Sequence, residues 1–168
     1  LAYLSAGFLV TKNQGMPLVI STHTKNLQEQ LFEKDIPQLS EALSISINTV
    51  IYKGSYNYIC KTRLKNLIDN HNNLLNVDEY EAFIALIVWE SKTKTGDINE
   101  CIGFRLNRHK RLWSLVRSER GFCSSSKCQK YDGCYLGNLR THLSEADIII
   151  VNHSLFANEL QRDNSFLP

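Results

Sequence analysis

Apolar positions along this chain follow two different periods, and the change of period divides it. The opening run LAYLSAGFLV, followed directly by Thr11 and Lys12, predicts a helix closing near Asn13 and Gly15. It is too short to span a membrane and reads as an amphipathic or buried helix cut from a longer protein. Pro17 then leads into LVI, a short apolar run suited to a buried strand of a parallel sheet. The polar stretch Ser21-Thr22-His23-Thr24 can cap a following helix with Leu27, Leu31 and Phe32 on its buried side. That helix should end between Asp35 and Pro37, because proline disfavours helical geometry in the residue before it. Ser44 to Tyr52 alternates in part and predicts a second strand. Helix, strand, helix, strand is the rhythm of an α/β sheet.

The middle of the chain reads differently. Leu64, Leu67 and Ile68 recur at helical spacing between Cys60 and His71. Asp78 to Ser91 predicts the strongest helix, with Tyr80, Phe83, Ile84, Ile87 and Val88 on one face. Lys92 to Asp97 is a turn, and Arg105 to Ser118 predicts a basic helix carrying Leu112, Trp113 and Val116. Leu136 to Glu145 predicts another helix. After Ala146-Asp147, the run IIIV is a buried strand, and Asn152-His153 begins a last helical segment. Strand grammar therefore returns at the end, with a mainly helical stretch set between strands.

Hydrophobic content of 43% and charged content of 21% place the 168 residues among globular chains with a sizeable core. The net charge of +2 conceals a segregation. Residues 53–140 carry 15 Lys+Arg against 9 Asp+Glu, whereas the remainder carries 4 against 8. Six basic residues fall between Arg105 and Arg120, opposed only by Glu119. A basic middle in a near-neutral chain suggests a polyanionic partner, although Lys and Arg are also ordinary surface residues.

Cysteines add candidate chemistry. Cys123, Cys128 and Cys134 stand as C-x4-C-x5-C in RGFCSSSKCQKYDGC, and Cys60 ends YKGSYNYIC far upstream; Cys101 has no cysteine near it. Thiolates among turn-forming residues suit a soft-metal site. Zinc is one occupant, though structural zinc sites usually use paired short knuckles. An iron–sulfur cube is broader and accepts wide intervals with a distant fourth ligand. Buried apolar thiols or disulfides are the alternatives. With no signal peptide and reduced cysteines, the expected compartment is the cytoplasm, and no membrane association is expected.

Four segments, VISTHTKNLQEQL, YKGSYNYIC, the C-x4-C-x5-C loop and EADIIIVNHSLF, occur in this order. The ordered set resembles the DinG-type and XPD-like superfamily 2 DNA helicases, with the DinG branch nearer by cysteine spacing. The resemblance covers nearly the whole chain. It implies an α/β fold that is part of a RecA-like (P-loop NTPase) parallel-sheet motor domain, with an inserted, mainly helical iron–sulfur domain. Residues 1–52 and 141–168 would belong to the motor domain and 53–140 to the insertion. The same resemblance implies that Cys60, Cys123, Cys128 and Cys134 ligate a 4Fe–4S cluster and that Cys101 does not. It makes Ser21 to Gln30 helicase motif Ia, in which Ser21, Thr22, His23, Thr24 and Gln28 would touch single-stranded or forked DNA.

The chain departs from the family in lacking G-x-x-x-x-G-K-[ST], and Asp78-Glu79 reads as a helix N-terminus rather than as the acidic magnesium box. The resemblance implies that ATP and Mg2+ are bound by the full-length parent, an ATP-dependent DNA helicase with 5′-to-3′ travel in repair or replication. A stretch without these motifs would be inactive alone. In the inserted domain, Tyr58 would stack on a base or shield the cluster, and Arg108 and Arg111 would follow the phosphate backbone. Two competing functions are a zinc-stabilised nucleic-acid-binding module without a motor and a cluster-bearing electron carrier.

Overall fold

The structure, a computed structural model, describes residues 2–119, 122–123, 133–161 and 167. It divides into two compact units, residues 1–53 with 139–168, and residues 54–138.

The first unit is built on three parallel strands, β1 (Leu18–Thr22), β2 (Thr49–Tyr52) and β3 (Ile148–Asn152), in the order β1-β3-β2. Leu18 and Thr49 both stand opposite Ile148, so the last strand in sequence is the central one. Ile148, Ile149, Ile150 and Val151 are all fully buried, which accounts for an apolar run without alternation. Ile148 and Ile150 pack with Leu4 and Phe8 of α1 (Ala2–Asn13) and with Leu31, Ile36 and Leu39. Ile149 and Val151 face the other way, onto Tyr52, Leu143 and Leu155. Each such side chain contributes about 1.5–3 kcal/mol by leaving water. Asp147 fixes the register: its carboxylate accepts the Asn48 N–H at 2.7 Å, and its carbonyl accepts the Leu18 N–H at 2.8 Å. The unit is α/β with a parallel sheet, as the apolar pattern predicts.

Two elements differ from the pattern. Pro37 does not end its helix. α2 (Lys25–Gln30) passes through one wide π-turn, Leu31–Asp35, into α3 (Ile36–Leu43). Within that turn the Ile36 N–H reaches five residues back to the Leu31 carbonyl, which relieves the crowding a proline ring imposes on regular α geometry. The wide turn also shifts the helical phase. Gln28, Leu31, Ile36 and Leu39 are buried, whereas Leu27 and Phe32 are exposed. The second strand is shorter than Ser44 to Tyr52, because Ser44 ends α3 in a left-handed conformation (φ 53°).

The second unit is mainly helical. It contains α4 (Lys61–Asp69), α5 (His71–Leu74), α6 (Tyr80–Glu90), α7 (Lys110–Val116) and the start of α8 (Tyr135–Ser144). Its core includes Ile59, Leu64, Leu67, Leu86, Leu112 and Val116. α6 buries Ala82, Phe83 and Leu86 but leaves Ile84 and Val88 outside, because it is apolar on nearly every side and periodicity does not single out one face. The basic helix starts only at Lys110, since residues 105–109 form turns on the Arg105 carbonyl. The final helix, α9 (His153–Leu160), belongs to the first unit. Among the described residues, no helix is long and apolar enough to cross a membrane.

Candidate functional sites

In the first unit, β1 and β3 finish side by side at Thr22 and Asn152. Open α/β sheets receive ligands at this carboxyl end of their strands. Ser21 Oγ lies 2.6 Å from His153 Nδ1, and the His23 ring sits 5.9 Å from that of His153. The Thr24 hydroxyl accepts the Leu27 N–H at 3.3 Å and caps α2; Asn152 Oδ1 accepts the Leu155 N–H at 2.7 Å and caps α9. His23, Thr24 and His153 are exposed. Thr22 and Gln28 are buried at 2% and 5% exposure, and among the described residues Thr22 Oγ1 and Gln28 Nε2 have no hydrogen-bond partner. An unsatisfied buried polar atom costs about 1–3 kcal/mol, so each is a place for an ordered water. Residues 21–24 and 28 are marked by the family resemblance, whereas the hydrogen bond from His153 back to Ser21 has no local signature.

In the second unit, Tyr58, Ile59 and Cys60 are extended and pinned on both sides. The Ile59 N–H bonds the Gly96 carbonyl at 2.9 Å, and the Cys60 N–H bonds the Val116 carbonyl at 2.8 Å. Cys60 is buried and immediately precedes α4. Cys60, Cys101, Cys123 and Cys134 stand as thiols rather than in disulfides. Cys128 lies outside the described residues, and among those described no three His, Cys, Asp or Glu side chains form a group able to hold a metal ion.

The chain on either side of the cysteine loop nevertheless meets the first turn of α4. Lys61 Nζ lies 4.8 Å from the centre of the Tyr135 ring, beside Cys134, and a side chain placed on Gly133 would come within 3.2 Å of the same Nζ. Arg63 lies over the Phe122 ring, beside Cys123, at 5.5 Å, and pairs with Glu119 at 2.7 Å. Arg63 and then Arg117 hold the exposed Glu119 carboxyl below its usual titration range. Tyr135 donates to Glu90 at 3.0 Å, and burial followed by that carboxylate pushes its hydroxyl above the usual tyrosine range. The donors therefore suit a thiophilic group in chemistry, and their flanks are gathered at one helix start. The spacing of the cysteines signals the thiols; nothing in the sequence signals that Lys61 and Arg63 meet Tyr135 and Phe122 beside the loop.

The remaining site candidates are dispersed. Tyr58 is a core residue at 4% exposure, so its ring presents no open face to a base, whereas Tyr56 is exposed. Arg108 is exposed. The Arg111 guanidinium is committed within the unit, to the buried Glu79 carboxylate and, at 2.7 Å, to the Leu74 carbonyl. Trp113 is buried and donates to the Tyr56 carbonyl at 2.9 Å. Cys101 is buried, and desolvation raises its thiol above the ordinary range against hydrogen bonds from Gly103 and Phe104.

No family model matches the chain. It is 33% identical over 159 residues to the ATP-dependent DNA helicase YoaA of Escherichia coli K12, a match covering 95% of the chain and 24% of that protein. It is 34% identical over 143 residues to YoaA of Haemophilus influenzae, covering 84% of the chain and 22% of the relative. The 3′-5′ exonuclease DinG of Bacillus subtilis is 26% identical over 174 residues, covering all of the chain and 18% of that protein. The chain thus spans about a quarter or less of the length of these relatives.

Proposed function

We propose that this sequence, which is similar over most of its length to YoaA and DinG, is part of an ATP-dependent DNA helicase. The observation that carries the reading is the 33% identity to a protein named as such a helicase across 95% of the chain. In this reading residues 1–52 and 141–168 belong to the motor domain, and 53–140 are the cluster-bearing domain. Ser21, Thr22, His23, Thr24 and Gln28 are motif Ia and bind the backbone of single-stranded or forked DNA. A hydroxyl at Ser21 and the exposed His23 and Thr24 side chains at a strand end suit phosphate oxygens. ATP and Mg2+ bind through segments outside this sequence, which contains no G-x-x-x-x-G-K-[ST].

Cys60, Cys123, Cys128 and Cys134 hold a 4Fe–4S cluster in this reading. Support comes from thiols outside disulfides and from loop flanks that meet the first turn after Cys60. When bound, the cluster cross-links stretches of chain that are distant in sequence. The test uses the intact protein that carries this sequence. Single-stranded DNA should stimulate its ATP hydrolysis, and separation of a forked duplex should require ATP. Failure of DNA to stimulate hydrolysis overturns the motor reading, and ATP-independent shortening of a labelled strand from its 3′ end would favour the activity named for DinG of Bacillus subtilis. Iron and sulfide in equal amounts with a brown colour support the cluster. A colourless protein holding zinc supports the zinc-stabilised binding module instead.

A further inference from the structure

We infer that Arg63 is a positioning residue, a clamp that fixes the segment delivering Cys123 to the start of the helix that follows Cys60. The inference deepens the cluster reading and rests on it for its biological meaning, but the clamp itself is a feature of the polypeptide.

Arg63 lies in the first turn of α4, three residues after Cys60. Its guanidinium makes three hydrogen bonds: Nε to the Leu115 carbonyl at 3.0 Å, Nη2 to the Ser114 carbonyl at 2.7 Å, and Nη1 to Glu119 Oε2 at 2.7 Å. The first two acceptors are carbonyls in the last turn of α7, where orphan acceptors and the helix dipole both favour a cation. The third acceptor is a hub. The Glu119 carbonyl accepts the N–H groups of Phe122 at 3.0 Å and Cys123 at 2.9 Å, closing the turn that presents Cys123. The guanidinium carbon lies over the Phe122 ring, 5.5 Å from its centre, so one group reaches both Glu119 and Phe122. The side chain is only 18% exposed.

The backbone bond from Cys60 N–H to the Val116 carbonyl joins the same two elements. Cys60 and Cys123 are thus referred to one frame, the end of α7, by the backbone on one side and by Arg63 on the other. Lysine cannot substitute. It keeps the charge, but one ammonium on a flexible stem cannot meet two adjacent carbonyls and a carboxylate while covering a ring. A loss in Arg63→Lys would separate a geometric role from a merely electrostatic one.

The experiment compares wild type, Arg63→Ala, Arg63→Lys and Glu79→Gln in the intact protein. Glu79→Gln weakens the pair with Arg111 in the same unit and serves as a control for general loosening. One arm measures the half-life of bound iron against a chelator. The other measures amide hydrogen exchange at Phe122 and Cys123 in metal-free protein. Partners that orient metal ligands are typically worth about 10–100-fold in metal retention, so both Arg63 variants should lose iron faster by a factor of that order. Exchange at the two amides should rise in both, and the control should leave both readouts near wild type. Folded Arg63→Ala with wild-type iron half-life and wild-type exchange overturns the clamp, as does Arg63→Lys matching wild type in both. If wild type holds no iron, the cluster reading falls and the exchange arm alone decides: faster exchange in folded Arg63 variants sustains the clamp, and unchanged exchange ends it. Should Arg63→Ala fail to fold, Arg63→Lys carries both arms.

Discussion

Ser21 and His153 are 132 positions apart, yet their side chains meet at 2.6 Å and join the end of β1 to the first residue of α9. A serine hydroxyl turns freely unless something holds it, so the imidazole decides where Ser21 points. If Ser21 grips a phosphate oxygen, His153→Ala should weaken binding of a single-stranded oligonucleotide by about 0.5–1.5 kcal/mol, the net value of one hydrogen bond. His153 is exposed, so the melting temperature should hardly move. Unchanged affinity in this variant would remove Ser21 and His153 from the DNA-binding surface.

Cys101 makes the opposite residue-scale case. Burial disfavours its thiolate, so its folded titration lies above the ordinary 9.0. A raised value contributes stability that is fully present below the unfolded value and disappears as pH rises through the folded one. Cys101 should therefore resist iodoacetamide at pH 8 until the protein unfolds, and, if the protein holds iron as proposed, Cys101→Ala should retain as much of it as wild type. Rapid labelling in the folded state would show that the thiol is reachable, and loss of iron in the variant would add Cys101 to the candidate ligands.

At the scale of elements, Gly96 sets a constraint that its neighbours enforce twice. It has φ +70°, a region side chains rarely enter, and an added Cβ would stand 2.4 Å from Tyr135 Cγ. Its carbonyl also accepts the Ile59 N–H, beside Cys60. Gly96→Ala should therefore destabilise the second unit by more than about 1 kcal/mol, since an incompatible backbone adds to the steric conflict. Denaturant unfolding at equal slope would measure it, and an unchanged midpoint would mean that the turn relaxes freely.

Elements governed by burial alone were legible in the sequence. IIIV is fully buried and central, and the order of strands and helices around it follows from apolar runs and caps. Elements governed by distant partners were not. The wide turn before Pro37 depends on a backbone solution that composition does not encode, and it reversed the expected placement of Leu27 and Phe32. Arg111 reads from the sequence as a cation open to phosphate on a basic helix, because its partner Glu79 lies 32 residues away on another element. Local periodicity carries no information about such pairs.

That distinction matters most for the whole molecule, where charge segregation points to a polyanion. The excess of 15 Lys+Arg over 9 Asp+Glu in residues 53–140 overstates the cations available to DNA, since Arg63 and Arg111 are both engaged internally. Arg108 is exposed and Arg111 is committed to Glu79, so the two should part company in a salt titration. If Arg108 follows a single strand, Arg108→Ala should reduce the slope of log affinity against log salt by about 0.7, the value of one phosphate contact. Arg111→Ala should leave that slope unchanged. It should instead lower the stability of the second unit by about 1–3 kcal/mol, because the buried Glu79 carboxylate loses a charged donor. The titration is done on the intact protein with oligonucleotides of mixed sequence, and little preference among bases is expected. A slope reduced by Arg111→Ala with stability intact would mean that Arg111 leaves Glu79 for a phosphate when DNA arrives. A slope untouched by Arg108→Ala would make that exposed arginine an ordinary solvated residue and move the search for phosphate contacts to residues 21–24 at the carboxyl end of β1.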